Sequence, residues 1–139
     1  MTGARMAIVE RLRSDPGLAA LLGQFQGEPA VFAGPPIPAQ RPVPYVAVDG
    51  ELWSRPEGTK THAGRRLAFP VKTVAAPDGR LDRLDRITEA IERALTLAPL
   101  STDQWVAVTT EVSGPVPGPE PQSQVYNREQ TVQLLLAAR

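Results

Sequence analysis

The stretch APDGRLDRLDRITEAIERALTLA, residues 76–98, admits a single physical reading. Between Asp78 and Ala98, residues Leu81, Leu84, Ile87, Ile91, Ala94, Leu95 and Ala98 recur at steps of three and four. At 3.6 residues per turn this stacks them on one face of a helix. The other face is charged. Asp82 with Arg86, and Glu89 with Arg93, stand four apart with the acid first, each pair worth ~0.3 kcal/mol at a surface. Asp78 is placed to cap the start, and Pro99 to stop the helix. A helix wet on one side and dry on the other needs an apolar sheet to lie on, and the segments flanking it read as strands.

Working outward, Gln104 to Val112 (QWVAVTTEV) and Glu129 to Ala137 (EQTVQLLLA) follow the helix, and both alternate as strands do. Between them SGPVPGPEPQSQVYN carries Pro115, Pro117, Pro119 and Pro121, which predicts a projecting loop on a long hairpin. Upstream, Tyr45 to Asp49 and Leu67 to Ala75 are the other two strands. The polar stretch Gly50 to Arg66 joins them, with a mobile tip expected around Pro56 to Gly64. Pro70 costs the second of these strands a ladder hydrogen bond, which predicts an edge or a bulge there.

The N-terminal part opens with a short helix, Thr2 to Arg13, with Met6, Val9 and Leu12 on one face and Thr2 available as a cap. SDPGLAALLG, Ser14 to Gly23, restarts it with Asp15 as N-cap and Pro16 at the first helical position. Gln24 to Pro44 is a long proline-bearing arm that cannot be a central strand, although Val31 and Phe32 suit a short one. The element order helix, strand, strand, helix, strand, strand predicts an α+β fold: an approximately four-stranded, mainly antiparallel sheet. Two principal helices lie on one face, and the loops are long and proline-rich.

The chain has 139 residues, which predicts a single domain over 1–139 able to bury a core of its own. Fifteen basic and fifteen acidic residues cancel, which argues against a binder that relies on summed positive charge, whether for nucleic acid or for a membrane surface. With no cysteine, disulfides and thiolate metal sites are excluded. The apolar runs are too short to cross a bilayer and the first residues lack the apolar core of a signal peptide, so a soluble protein made in the cytoplasm is expected.

Reactive constellations are missing. His62 is the one histidine, on a polar connection without paired carboxylates, and reads as a solvated loop residue. Glycines lie among prolines rather than between a strand and a helix, so no phosphate cradle is present, and no serine sits in a nucleophile elbow. Asp82, Asp85, Glu89 and Glu92 alternate with arginines along a helix and form a solvated face. Arg65 and Arg66, with Lys60 and Lys72, make the second strand locally basic, which reads as surface charge. Trp105 opens a strand and is expected to pack under a helix, whereas Trp53 lies in a polar connection. Surface, loops and edges point to assembly rather than to a reaction.

Taken in order, the segments DPGLAALLG (Asp15 to Gly23), PYVAVDG (Pro44 to Gly50) and RRLAFPVKTVAAPDGRLDRLDRITEAIERAL, followed by a closing pair of strands, carry a family likeness. This layout resembles the small tail-terminator, tail-completion or minor tail proteins of long-tailed bacteriophages and gene transfer agents. The arm Gln24 to Pro44 and Pro70 depart from the family pattern. The resemblance implies a homo-hexamer in the virion, at the head–tail junction, capping the head-proximal end of the tail tube. Such a ring ends polymerisation of the tube protein, meets a neck or stopper protein, and lets DNA pass its lumen without specific binding. It implies no catalytic residue, cofactor, metal or membrane. Subunit, tail and neck contacts are expected at Trp53, Arg55, Arg65, Arg66, Pro115, Pro117, Pro119, Gln122 and Tyr126. Two other readings compete: a head-closure or adaptor protein of the capsid connector, and a small ligand-binding α+β domain using Arg65, Arg66 and Glu111.

Overall fold

The computed structural model describes residues 3–57, 64–75, 81–117 and 126–139. Its central helix, α3 (Leu81–Thr96), buries Leu84, Ile87, Ile91, Ala94 and Leu95, the face expected from the spacing, while Ala98 lies beyond the helix end and is exposed. Asp82 and Arg86 pair at 3.7 Å, but Arg93 turns away from Glu89 and reaches Asp15 at 3.6 Å. The helix is thereby tethered to the N-terminal unit. The capping roles expected of Asp78 and Thr2 fall outside the described residues.

That unit consists of α1 (Ala4–Ser14) and the one-turn α2 (Pro16–Ala19). Asp15 caps α2 as expected, its carboxylate accepting from the Leu18 N–H at 2.8 Å. The buried face of α1 is Ala4, Ile8, Val9 and Leu12; Met6, expected there, is 42% exposed. The reason is angular: Ile8 and Leu12 continue the row from Ala4 at steps of four, and Met6 lies two residues off that row.

Five strands form the body of the sheet in the order β3 (Val31–Ala33), β4 (Tyr45–Val48), β6 (Gly64–Ala75), β8 (Tyr126–Ala138), β7 (Trp105–Pro117), and β5 (Trp53–Pro56) pairs with β6 beside β4. A separate two-stranded hairpin, β1 (Gln24–Phe25) with β2 (Glu28–Pro29), precedes it. Among the described residues the main sheet therefore has six strands rather than four and is mixed, because β3 runs parallel to β4. Two short strands lay outside the four expected: β3, where Val31 and Phe32 suited a short strand in the arm, and β5, inside the polar connection. Pro70 lies in an interior strand, not at a sheet edge or bulge. On one side it faces Thr131 of β8; on the other it falls in the gap between β4 and β5, where Asp49 and Leu52 donate to the Pro70 and Ala68 carbonyls. The N–H that proline lacks would point into this gap, where no strand is waiting for it.

Helices α1, α2 and α3 cover one face, and their apolar residues meet Val46, Val48, Leu67, Phe69, Val71, Val132, Leu134 and Leu136 in the main core. On the opposite face Ala30, Phe32, Tyr45 and Ala47 form a second small cluster with Phe25 and Ile37 against it. The proline-rich arm thus folds over one corner of the sheet.

The basic residues of α1 are spent inside the molecule. Arg11 donates to the carbonyls of Ala94, Ala98 and Pro99, closing the C-terminus of α3, where a cation suits the helix dipole. Arg5 donates to Gly34 O at 2.7 Å, and Arg13 donates twice to Val31 O, at 3.0 and 2.8 Å, on the outer side of β3. This blunts the β3 edge. Arg13→Met is expected to leave Val31 O unpaired, cost about 1–2 kcal/mol, and turn a monodisperse protein into one that self-associates, as read by light scattering.

Candidate functional site

Strand alternation sorts the candidate residues by face. On the face away from the helices, register aligns Arg55, Arg66, Leu135 and Thr109 in one row, and Trp53, Ala68, Gln133 and Glu111 in the next. Arg65, one residue from Arg66, lies on the other face, where it donates to Ser54 Oγ. Lys72 is six residues further along β6, roughly 20 Å away, and is paired with Asp49 at 3.0 Å. The locally basic segment is therefore not one patch, because period-two alternation separates neighbours in sequence. Lys60 and His62 lie outside the described residues.

Trp53 is 37% exposed, with the Arg55 guanidinium 5.2 Å from its ring centroid. Arg55 stands directly opposite Arg66, an unfavourable cross-strand pair that Glu57 offsets by bonding Arg66 and approaching Arg55 at 4.0 Å. The hydrogen bond from Arg66 holds the Glu57 carboxyl below its usual range and raises Arg66 in turn. A depressed carboxylate stabilises the fold above its unfolded value and loses that contribution as pH falls through the folded one. The stability difference between the wild type and Glu57→Gln should thus be full above pH 4.5 and vanish on further acidification, as measured by urea titration at each pH.

Two bulges shape β7. At Val108 the register shifts between Ala107 and Thr109, so Trp105 and Ala107 face the core before it and Thr110 and Val112 after it. Strict alternation would have sent Glu111 inward; the extra residue turns it out to solvent. The second bulge lies at Gly114 and Pro115, opposite Gln130. Pro115 and Pro117, expected in a loop, belong to the far end of β7, where Val116 and Pro117 pair with Glu129 and Arg128. Tyr126 begins β8 opposite Ala75 of β6. Pro119, Pro121 and Gln122 lie outside the described residues.

Among the described residues, the outer side of β7 is paired only at its root. There Ala107 N–H donates to Leu100 O and Thr102 N–H to Trp105 O, and Ser101 bridges Val106. From Val108 onward no strand flanks it among the described residues. An open groove of 190 Å³, lined by Leu95 to Pro99, Ala107, Val108 and Thr110, runs beside this edge on the helical side. A second groove, of 540 Å³ between α1 and Leu100 to Thr102, presents Glu10, Arg11 and Ser14. Arg11 is already committed to the end of α3, and no group of three metal-ligating side chains exists among the described residues. Arg65 and Arg66 diverge and Glu111 stands two strands from Arg66, so these three do not converge on a ligand. Sequence reasoning missed the bulge at Val108 and the outer edge of β5, which no strand flanks among the described residues; Leu97 and Leu52 beside them are 77% and 56% exposed, but no sequence pattern marks either place.

Residues 6–137 match the family model of the tail completion protein gp17. A chain in the solved structure of the virion of a native gene transfer agent particle has the same fold, with a TM-score of 0.76 at 21% identity over 96% of this chain and 94% of that one. No curated protein matches.

Proposed function

The chain belongs to the tail completion protein gp17 family, and on that premise we propose that six copies close a ring on the head-proximal end of a tail tube, end its growth and carry the capsid neck. The observation that carries this reading is the family match over nearly the whole chain, joined to two unlike strand edges, on opposite flanks of one sheet, that no strand flanks among the described residues. A closed ring of identical subunits requires two different complementary patches on each. The fold likeness to a chain of a gene transfer agent virion supports a place in a virion tail of phage or phage-like type. Its partners are then the tail tube protein on one side and a neck or stopper protein on the other.

DNA crosses the lumen of such a ring without being held. The zero formal net charge supports this, as does the engagement of Arg5, Arg11 and Arg13 with backbone carbonyls. The test is electron microscopy of purified protein mixed with tail tubes. A six-fold ring at one end of each tube, with no further elongation when tube protein is added, is expected; tubes that keep growing with bare ends would refute it.

A further inference from the structure

Resting on the ring reading above, we infer that the outer edge of β7, from Val108 to Ser113, is a strand-addition slot for the tail tube protein. Its occupant is an extended stretch of about five residues in the order apolar, basic, apolar.

Backbone direction defines the slot. Ala107 donates its N–H to Leu100 O, so its polar groups point away from β8. Ala107, Thr110 and Val112 stand opposite Leu136, Leu134 and Val132, which alternate regularly along β8, so Thr110 and Val112 turn their N–H and C=O outward as Ala107 does. No strand among the described residues takes them. Rows of this kind template an added strand. At one end the lane is filled by Leu100 to Thr102, where Ser101 bridges Val106 antiparallel. At the other end Pro115 and Pro117 have no N–H to give. The open length between them is roughly 20 Å.

Side chains define the occupant. In an added antiparallel segment, the residues opposite Thr110 and Val112 project to the helical face. There the 190 Å³ groove offers the exposed Leu97 and Val108, and Arg11 fixes its wall by donating to the carbonyls of Ala98 and Pro99. The residue between those two lies opposite Glu111, on the other face. Glu111 is exposed and makes no ion pair among the described residues, so a Lys or Arg placed there is matched across the strands.

A second copy does not supply this strand. Its β3 edge is closed by Arg13, and its β5 shares a lane with β4, so the next lane is the one β3 occupies. A β7 laid level against that β5 would run its far end onto Val31 and Phe32. Two-fold pairing of β7 with β7 about Glu111 sets two carboxylates together, which cross-strand geometry disfavours. Neighbouring copies therefore meet through side chains, Trp53 and Arg55 among them, and the slot is left to a different protein. A tube grows because each layer offers the next the contact it has just received. A slot closed at both ends takes one strand and passes none on, which is what ending growth at the tube requires.

The test uses tails purified from producing cells. With p-benzoylphenylalanine in place of Thr109, an exposed position on this edge, irradiation should join the chain to the tube protein, at a stretch that mass spectrometry reads as apolar, basic, apolar. Products joined only to a second copy or to the neck protein, or no product from capped tails, would overturn the slot while leaving the ring standing. Uncapped wild-type tails would overturn both. Two further variants are read as occupancy of this protein on tails, by immunoblot. Thr110→Pro removes an outward N–H, and Glu111→Arg reverses an exposed charge. Each should lower occupancy roughly tenfold with circular dichroism unchanged, and a basic-to-acidic change in the cross-linked stretch should rescue Glu111→Arg. Wild-type occupancy in either folded variant, or no rescue, would also overturn the slot.

Discussion

Trp105→Ala should lose about 3–5 kcal/mol of stability, the largest effect of any single substitution considered. Trp105 is fully buried in the main core at the root of β7, opposite Ala138 of β8. Its removal leaves a cavity where β7 is clasped by the segment after α3, the Trp105 carbonyl accepting from Thr102 and Ala107 N–H donating to Leu100. Urea denaturation followed by far-ultraviolet circular dichroism should show a lower midpoint with little change in slope. Trp53→Ala gives the contrast. Its ring is partly exposed and held by Arg55, so its loss should cost only about 0.5–1 kcal/mol yet weaken ring assembly severely. A pair of tryptophan variants thus separates the residue that holds the fold from the residue proposed to meet a neighbour.

Gly114→Ala is expected to cost about 2 kcal/mol and to disturb the far half of β7. Gly114 sits at φ +91°, a region that side chains disfavour, and an added Cβ would lie 2.9 Å from the Glu129 carbonyl oxygen. Neither problem can be relieved by a rotamer change, because the obstacle is backbone. The bulge it forms decides which way Val116 and Pro117 face, so the variant should alter whatever the distal ribbon contacts while leaving the core around Trp105 intact. Thermal unfolding should therefore show a lowered midpoint, and hydrogen exchange should show lost protection confined to residues near Gln130 and Val116.

Much of this molecule is legible because single residues carry complete physical statements. The three- and four-residue spacing from Leu84 to Leu95 finds its dry face, and Asp15 before Pro16 starts a helical turn where a cap and a preset φ agree. Trp105 at the head of an alternating run is buried as expected. The illegible parts are those decided by distant partners. Nothing in WSRP announces a strand, since Trp53–Pro56 is ordered by its pairing with β6. The bulge at Val108 hides inside a run that reads as an ordinary strand and reverses the face of Glu111. The destinations of Arg5, Arg11 and Arg13 also depend on carbonyls 18 to 88 residues away. Arg65 and Arg66 show the opposite error, in which neighbours in sequence were grouped although a strand must separate them. The candidate contact surface was therefore half legible: Trp53, Arg55 and Arg66 do share a face, but the edge that gives that face its direction emerges only from the pairing.

The most direct test of the central claim is electron microscopy of particles from producing cells that lack this protein. Capping of the tube predicts overlong or ragged tail tubes beside tailless, DNA-filled heads. Tails of normal, fixed length firmly attached to heads would contradict it.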